Sequence, residues 1–413
     1  MPVPDVAVVG GGVAGLVVAR RLALAGRDVV LYEATDRLGG TVSAHVVGGL
    51  VLDAGAESFA TRGGTVEALA RSLGLGDDVV SPSPLAGWLL PPTRPAVPLP
   101  ATSLLGIPAR PLAADVVAAV GRRAALRAAL DRVLPPTVGA DARTLGALVR
   151  ARMGAGLLES LVAPVVHGIH SLPPDDLAVD AVAPGLRAAL ARHGSLAGAV
   201  AALRAAAPPG SAVRGLRGGV HRLVDALAEE IDRLGVDVRL GQRVDDLTGL
   251  AGTVVVAAPG VAAPAAPGRR IVLATLVVDQ PALDAAPRGT GLLVAAGAPG
   301  VRARALTHGT AKWPWLREVA GGRHVLRLSY DAEPPDVLEA ARLDAQALMG
   351  VDLPAGAVLD AARVELVRPA RMAGTAQVPV VGETVAGSGL AGIVAHAEAT
   401  AQRLLGFSDE ASA

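Results

Sequence analysis

Hydrophobic positions change period several times along the chain, and each change predicts an element. Residues 5–9 are an almost continuous apolar run that closes on glycines. From residue 13 to 25 the apolar positions recur at helical spacing. Strand, tight turn and helix is the reading. A second apolar run, 28–33, ends in Glu33. Runs at 42–47 and 50–53 flank Gly48-Gly49 and predict a hairpin, and 65–73 predicts a helix. Proline and glycine then thicken from 81 to 111, which predicts extended segments and turns. Helical periodicity follows at 113–132, 144–152, 156–167 and 185–206, the last interrupted at His193-Gly194.

Strand and helix then alternate again. Glycine-rich 215–219 opens an amphipathic helix at 220–234, with strands expected at 235–240 and 253–258. After a linker-like 261–270, strands are expected at 271–278, 291–294, 303–307 and 324–330. A helix at 335–349 interrupts them, and 363–367 closes the sheet. The last piece, 378–405, reads as strand, glycine turn and helix, with a frayed tail at 407–413. This order predicts an α/β fold in three parts. A Rossmann-like, dinucleotide-binding domain is assembled from 1–84, 209–262 and 368–413. An all-helical lobe is inserted over 85–208, and a mixed-sheet α+β domain covers 263–367.

Composition narrows the partners. The formal net charge of the 413 residues is zero, so nothing points to nucleic acid or to electrostatic capture at a membrane. Residues are 51% hydrophobic, mostly Ala, Val and Leu, yet no uninterrupted apolar run reaches ~20 residues, so no transmembrane segment is expected. No charged-then-apolar leader is present either, which leaves a cytoplasmic protein as the expectation and peripheral membrane contact open. Absence of cysteine excludes disulfides, iron–sulfur clusters, thiolate zinc sites and cysteinyl-linked cofactors.

Candidate chemistry gathers at the N-terminus. Gly10, Gly12 and Gly15 occupy a G-x-G-x-x-G pattern between strand and helix. The first permits the turn, the second lets backbone approach a pyrophosphate, and the third lets the helix pack close. The helix N-terminus then offers free N–H groups to phosphate. Glu33 stands where an acid meets a ribose. Arg37, Gly39, Gly40 and Thr41 follow with further N–H groups and a cation. Small residues at 53–58 would let a ring lie against backbone. His167 and His170 have no third ligand at a convincing spacing, so a structural pair is expected and no metal. Lys312, followed by Trp313 and Trp315, reads as a packing residue, and Trp88 as core or cleft wall.

The glycine turn, the acid at Glu33 and the Arg37-x-Gly39-Gly40 step together resemble the flavoproteins with two dinucleotide-binding domains. Further segments sharpen the resemblance toward the porphyrinogen oxidases: 215–227, 161–169, Lys312-Trp313-Pro314, His193 to Leu196, and the terminal glycine turn at 382–393. The match runs nearly end to end and in order, and is nearest to the oxygen-dependent coproporphyrinogen III oxidases. The resemblance implies non-covalent FAD. Gly10, Gly11, Gly12, Val13, Ala14 and Gly15 would hold the diphosphate. Glu33, with Ala34 beside it, would bind the adenosine ribose, and Arg37, Gly39, Gly40 and Thr41 would complete the phosphate site. Gly55, Ala56, Glu57 and Ser58 would line the isoalloxazine, Val244 would meet adenine, and Gly382, Ser388, Gly389 and Leu390 would approach the pyrimidine side.

That resemblance also implies a tetrapyrrole substrate, molecular oxygen as acceptor and hand-over of product to ferrochelatase. The flavin would carry the redox step, so no dedicated nucleophile is needed and none is found. Substrate carboxylates call for arginine, and Arg62 is the candidate after the flavin loop. A family Arg-Trp-Pro step is here Arg368-Pro369-Ala370, a departure near the expected substrate site. Protoporphyrinogen IX is the alternative substrate. An amine oxidase is a weaker reading, because 271–278 has no lysine and 369–406 has no Phe, Tyr or Trp. An inactive flavin-binding partner protein is the remaining alternative.

Overall fold

A computed structural model describes residues 3–206, 213–263, 267–372 and 376–406. The tail predicted to fray, 407–413, lies outside the described residues. The chain divides into two compact units. The first is drawn from Met1–Pro82, Ser211–Ile271 and Val364–Ala413, the second from Ser83–Gly210 and Val272–Arg363.

The first unit is built on a four-stranded parallel sheet in the order Asp237–Arg239, Val29–Tyr32, Val6–Val9, Thr253–Val256. Register pairs Val6 with both Val29 and Thr253. All four residues of Val6–Val9 are buried, as a strand covered on both faces requires. Helices Val13–Leu24, Arg222–Arg233 and Leu390–Leu404 share the core with it. Arg20 of the first helix pairs with Glu230 of the second, which satisfies a buried cation. The hairpin Ala44–Val47/Leu50–Asp53 turns on Gly48 and Gly49, both at positive φ (56° and 74°). Only a primed turn of that kind matches the strand twist.

The second unit holds two cores. One is helical, formed by Ala114–Val120, Arg122–Ala129, Leu145–Met153, Ala163–His170, Leu186–His193 and Leu196–Ala206. The other lies between Val337–Met349 and a seven-stranded sheet. The sheet order is Val358–Arg368, Arg269–Val278, His324–Tyr330, Ala305–His308, Gly291–Val294, Trp88–Leu90, Val97–Pro98.

This arrangement corrects the sequence reading. Residues 85–208 are not all helical, because Trp88–Leu90 pairs in parallel with Gly291–Val294 and Val97–Pro98 forms the sheet edge. Pro98 cannot donate to a ladder, and an edge is where that is tolerated. The lobe and the sheet form one unit because they pack directly: a Cβ placed on Gly168 would meet Leu293 Cδ2 at 2.6 Å. Leu89 belongs to the helical core although its strand belongs to the sheet. The helix expected over 113–132 breaks at Gly121, whose φ of 83° and ψ of 159° end one helix and start the next. The expected strand near 378 shrinks to a single bridge between Val380 and Val256, and a one-turn helix, Glu383–Ala386, occupies the glycine turn.

Candidate functional site

Gly10 closes the first strand by donating its N–H to Tyr32 O at 2.8 Å, at a φ of 111°. A Cβ there would lie 2.9 Å from Ala257 C, and one on Gly15 would strike Gly10 O at 1.9 Å. Both positions are therefore closed to any side chain by the protein's own backbone. Gly12 differs. A Cβ on it would meet no protein atom within 4 Å, so it borders open space. Gly12 is also the N-cap of Val13–Leu24, and no side chain caps that end. The amides of Val13, Ala14 and Gly15 thus begin a helix whose partial positive charge faces the open side. A diphosphate fits these features: space where Gly12 has no side chain, and donors in front of it.

Glu33 sits at the end of Val29–Tyr32, half buried, with Ala34 exposed beside it. Its Oε2 accepts from Gly11 N at 2.8 Å, and its Oε1 accepts from Thr35 N and Thr35 Oγ1, each at 2.8 Å. A carboxylate has about four lone-pair sites, so three bonds leave room for a ligand hydroxyl. Glu33 both holds the glycine turn and keeps acceptor capacity beside it.

The Arg37–Thr41 segment folds against the same turn. Gly39 N donates to Gly11 O at 2.8 Å, and Gly12 bridges Gly39. Gly39 and Gly40 both have positive φ, and a Cβ on Gly40 would lie 3.4 Å from Gly12 Cα. Arg37 is exposed and donates from Nη1 to Gly40 O at 3.2 Å, a bond that braces its own loop. Thr41 meets the other predicted loop, since a Cβ on Gly55 would strike Thr41 O at 1.9 Å. Ala56, Glu57 and Ser58 follow half buried.

Gly382 reaches the start of the first helix. A Cβ on it would stand 3.6 Å from Ala14 Cβ. Ser388 is half buried, Gly389 at φ 116° caps Leu390–Leu404, and Leu390 is buried. Val244 lies half buried in a segment tied to the acid two residues earlier, where Gln242 N donates to Glu33 O at 2.8 Å. The glycine turn, Glu33, the Gly39–Gly40 step, Thr41, Gly55 and Gly382 are thus linked by direct contacts. Arg62 stands exposed in the turn Arg62–Gly64.

Several residues here escape sequence reasoning. Asp53, at the start of the Gly55 loop, accepts from Val220 N and His221 N, both at 2.9 Å, and meets His221 Nδ1 at 2.9 Å. The Asp53 hydrogen bond raises the His221 pKa, against an opposing effect of burial. A Gly218-Gly219 step before the helix was the only local signal. Glu383, beside Gly382, has its pKa pushed up by burial, while Arg368 Nη1 at 3.0 Å opposes that. Ala257 closes the floor under Gly10 and has no motif of its own.

Elsewhere, His167 Nε2 lies 3.5 Å from Asp331 Oδ2, and no group of three or more metal-ligating side chains occurs among the described residues. Lys312 Nζ lies 5.1 Å over the Trp313 ring, and Trp313 is buried. No helix among the described residues is long and apolar enough to cross a membrane.

Comparison with known proteins gives a consistent picture. Residues 13–275 match the flavin containing amine oxidoreductase family. The coproporphyrinogen III oxidase of Mycobacterium tuberculosis is 32% identical over 352 residues, covering 78% of this chain and 75% of the relative. That of Propionibacterium freudenreichii is 30% identical over 271 residues, covering 58% and 51%, so this match spans about half the relative's length. That of Staphylococcus aureus is 28% identical, with 54% of its length matched. Among solved structures, an Exiguobacterium protein with a provisional protoporphyrinogen oxidase name superposes with a TM-score of 0.82 at 22% identity, covering 98% of this chain and 99% of that one. Cyclohexylamine oxidase from Brevibacterium oxydans superposes with a TM-score of 0.63 at 17% identity, over 98% of this chain and 100% of that one. At those identities the superpositions speak for the fold.

Proposed function

The chain belongs to the flavin containing amine oxidoreductase family and uses FAD, and on that premise we propose that it oxidises a porphyrinogen to a porphyrin, coproporphyrinogen III to coproporphyrin III first of all. Molecular oxygen is the acceptor in this reading, hydrogen peroxide the by-product, and a cytoplasmic ferrochelatase the next user of the ring. Relatives bearing the coproporphyrinogen III oxidase name supply the substrate class. The observation that carries the cofactor side is the contrast among three glycines. Gly10 and Gly15 are closed by backbone, whereas Gly12 opens on space that a diphosphate can fill.

FAD, when bound, supplies the oxidising power that removes hydride equivalents from an electron-rich macrocycle. The chain's own residues bind and orient. In this reading the amides from Gly11 to Gly15 hold the diphosphate. Glu33 accepts from the ribose with the lone pair left by Gly11 and Thr35. The Gly39–Thr41 step closes the phosphate side. Gly55 to Ser58 and Ser388 to Leu390 border the ring, and Val244 meets adenine. No side chain in this set is poised as a nucleophile, in keeping with chemistry that the cofactor performs. Because the sequence has no cysteine, a cysteinyl flavin bond is excluded.

The test is side-by-side turnover of coproporphyrinogen III and protoporphyrinogen IX in air, with peroxide measured alongside porphyrin absorbance. Faster porphyrin formation from coproporphyrinogen supports the reading. A yellow protein that oxidises neither overturns it and favours a flavin-binding partner protein.

A further inference from the structure

A cleft of about 500 Å³ opens wholly within the second unit. Its walls are small and apolar, among them Ala163, Pro164, Val294 and Ala303. Into it comes Arg304, whose side chain is only 13% exposed. Arg304 Nη1 lies 3.2 Å from Asp331 Oδ1, close enough for an ion pair. Nε is buried with no hydrogen-bond partner among the described residues, and Nη1 is buried with the Asp331 ion pair as its contact. A buried donor without an acceptor costs free energy, so the guanidinium is only partly satisfied by Asp331.

The arginine is held there by a built framework. Asp344 on Val337–Met349 accepts from Arg302 N at 3.2 Å and from Ala303 N at 2.8 Å. Tyr330 Oη donates to the same Asp344 oxygen at 3.1 Å. Arg304 N in turn donates to Ser329 O at 2.8 Å, and Val294 N donates to Arg304 O at 2.9 Å. Backbone on both sides of the cleft is therefore fixed before any ligand arrives. The remaining charged groups lining it are accounted for. His167 and Arg304 share Asp331, and Glu333 pairs with Arg363 at 2.6 Å. Arg302 is exposed.

We infer that this cleft seats a carboxylate-bearing arm of the tetrapyrrole, with the Arg304 guanidinium, exchanged from Asp331, as the group that recognises it; this rests on the porphyrinogen reading above. A planar guanidinium matches a carboxylate, and the apolar walls match the hydrocarbon of the arm. Asp331 is the built-in competitor. It holds the guanidinium while the cleft is empty and yields part of it when a second carboxylate enters. Arg304 is then a specificity residue for acid against ester.

The test uses the full-length, FAD-loaded protein and measures equilibrium binding of coproporphyrin III by its fluorescence, with the tetramethyl ester as a neutral control. Arg304→Gln should weaken the acid about tenfold or more and leave the ester unchanged. Asp331→Asn should do the opposite and tighten the acid, a gain that misfolding cannot produce. Arg304→Lys should recover part of the loss. In turnover, Arg304→Gln should raise KM with kcat nearly intact. Acid affinity that is unchanged in both single variants, while the wild type turns over, overturns this inference alone. Equal loss of acid and ester in Arg304→Gln also overturns it. A wild type that neither binds coproporphyrin III nor oxidises its porphyrinogen overturns the enzymatic reading, and this inference with it.

Discussion

Gly12 and Gly15 are the same residue type three positions apart, and the structure gives them opposite reasons. Gly15→Ala forces a methyl group to within 1.9 Å of Gly10 O, so the turn must open. The expected cost is about 1–3 kcal/mol in the FAD-free protein, read as a lowered thermal midpoint. Gly12→Ala meets no protein atom. Its FAD-free midpoint should stay within about 2 °C of the wild type, while FAD retention falls sharply, because the methyl group takes the ligand's space. A Gly12→Ala protein that keeps stoichiometric FAD at unaltered affinity would remove the cradle from this account. His221 offers a second test. Its pKa is raised above the ordinary 6.5 by the hydrogen bond to Asp53. A raised histidine pKa stabilises fully below the unfolded value and loses that contribution as pH rises through the folded one. Unfolding free energy should therefore decline as pH rises above about 6.5, and His221→Asn should flatten that decline. An identical pH slope in both proteins would show that the latch carries no charge. The G-x-G-x-x-G pattern was legible because spacing alone encodes it. Asp53–His221 was not, since its partners lie 168 residues apart and only folding brings their two segments together.

Among elements, the inserted helices show how unevenly ion pairs matter. Arg152 and Asp131 are both fully buried and paired. Arg152 also donates to Asp131 O at 2.9 Å, Pro135 O and Val138 O at 3.1 Å, and Gly194 O at 3.0 Å, while Asp131 accepts from Ala197 N at 2.8 Å. One guanidinium thus ties together the carbonyls of two interhelical turns. Asp131→Ala leaves that cation buried and uncompensated, and should cost about 3–5 kcal/mol in urea unfolding. The exposed pair Arg150–Asp175, 2.7 Å apart on the same set of helices, should change by less than about 1 kcal/mol on Asp175→Asn. Equal losses would mean that the buried hub is not a hub. Periodicity revealed these helices well, because each buries one apolar face. It missed Trp88–Leu90 as a sheet member, because that strand's partner, Gly291–Val294, lies some two hundred residues on and proline punctuation masks the local pattern. It also missed the union of lobe and sheet, which depends on Gly168 having no side chain to hold Leu293 away.

At the scale of the molecule, cofactor and stability are coupled. If FAD binds the folded first unit and not the unfolded chain, FAD at a hundred times its dissociation constant should stabilise it by about 2.7 kcal/mol. Calorimetry with and without added FAD should then show an upward shift in the transition that releases yellow colour. A transition indifferent to FAD would contradict the assignment of the site. The central strands of the first unit were readable because Val6–Val9 and Val29–Tyr32 are apolar runs that are buried along almost their whole length. The Arg304 cleft was not readable, since its donors, its competitor Asp331 and its anchor Asp344 come from separate elements that only packing unites.

The first strand finds one neighbour at once, in Val29–Tyr32, but its other neighbour, Thr253–Val256, is made much later. At about 5–20 residues per second, a ribosome needs on the order of 10–50 s to reach it. Until then Val6–Val9 exposes one unpaired edge, and Gly10 lacks the Ala257 floor beneath its turn. The nascent chain thus carries the glycine turn of the proposed nucleotide seat without its floor until residue 257 is made. Flavin loading is therefore expected to follow translation of the middle of the chain rather than to accompany its start.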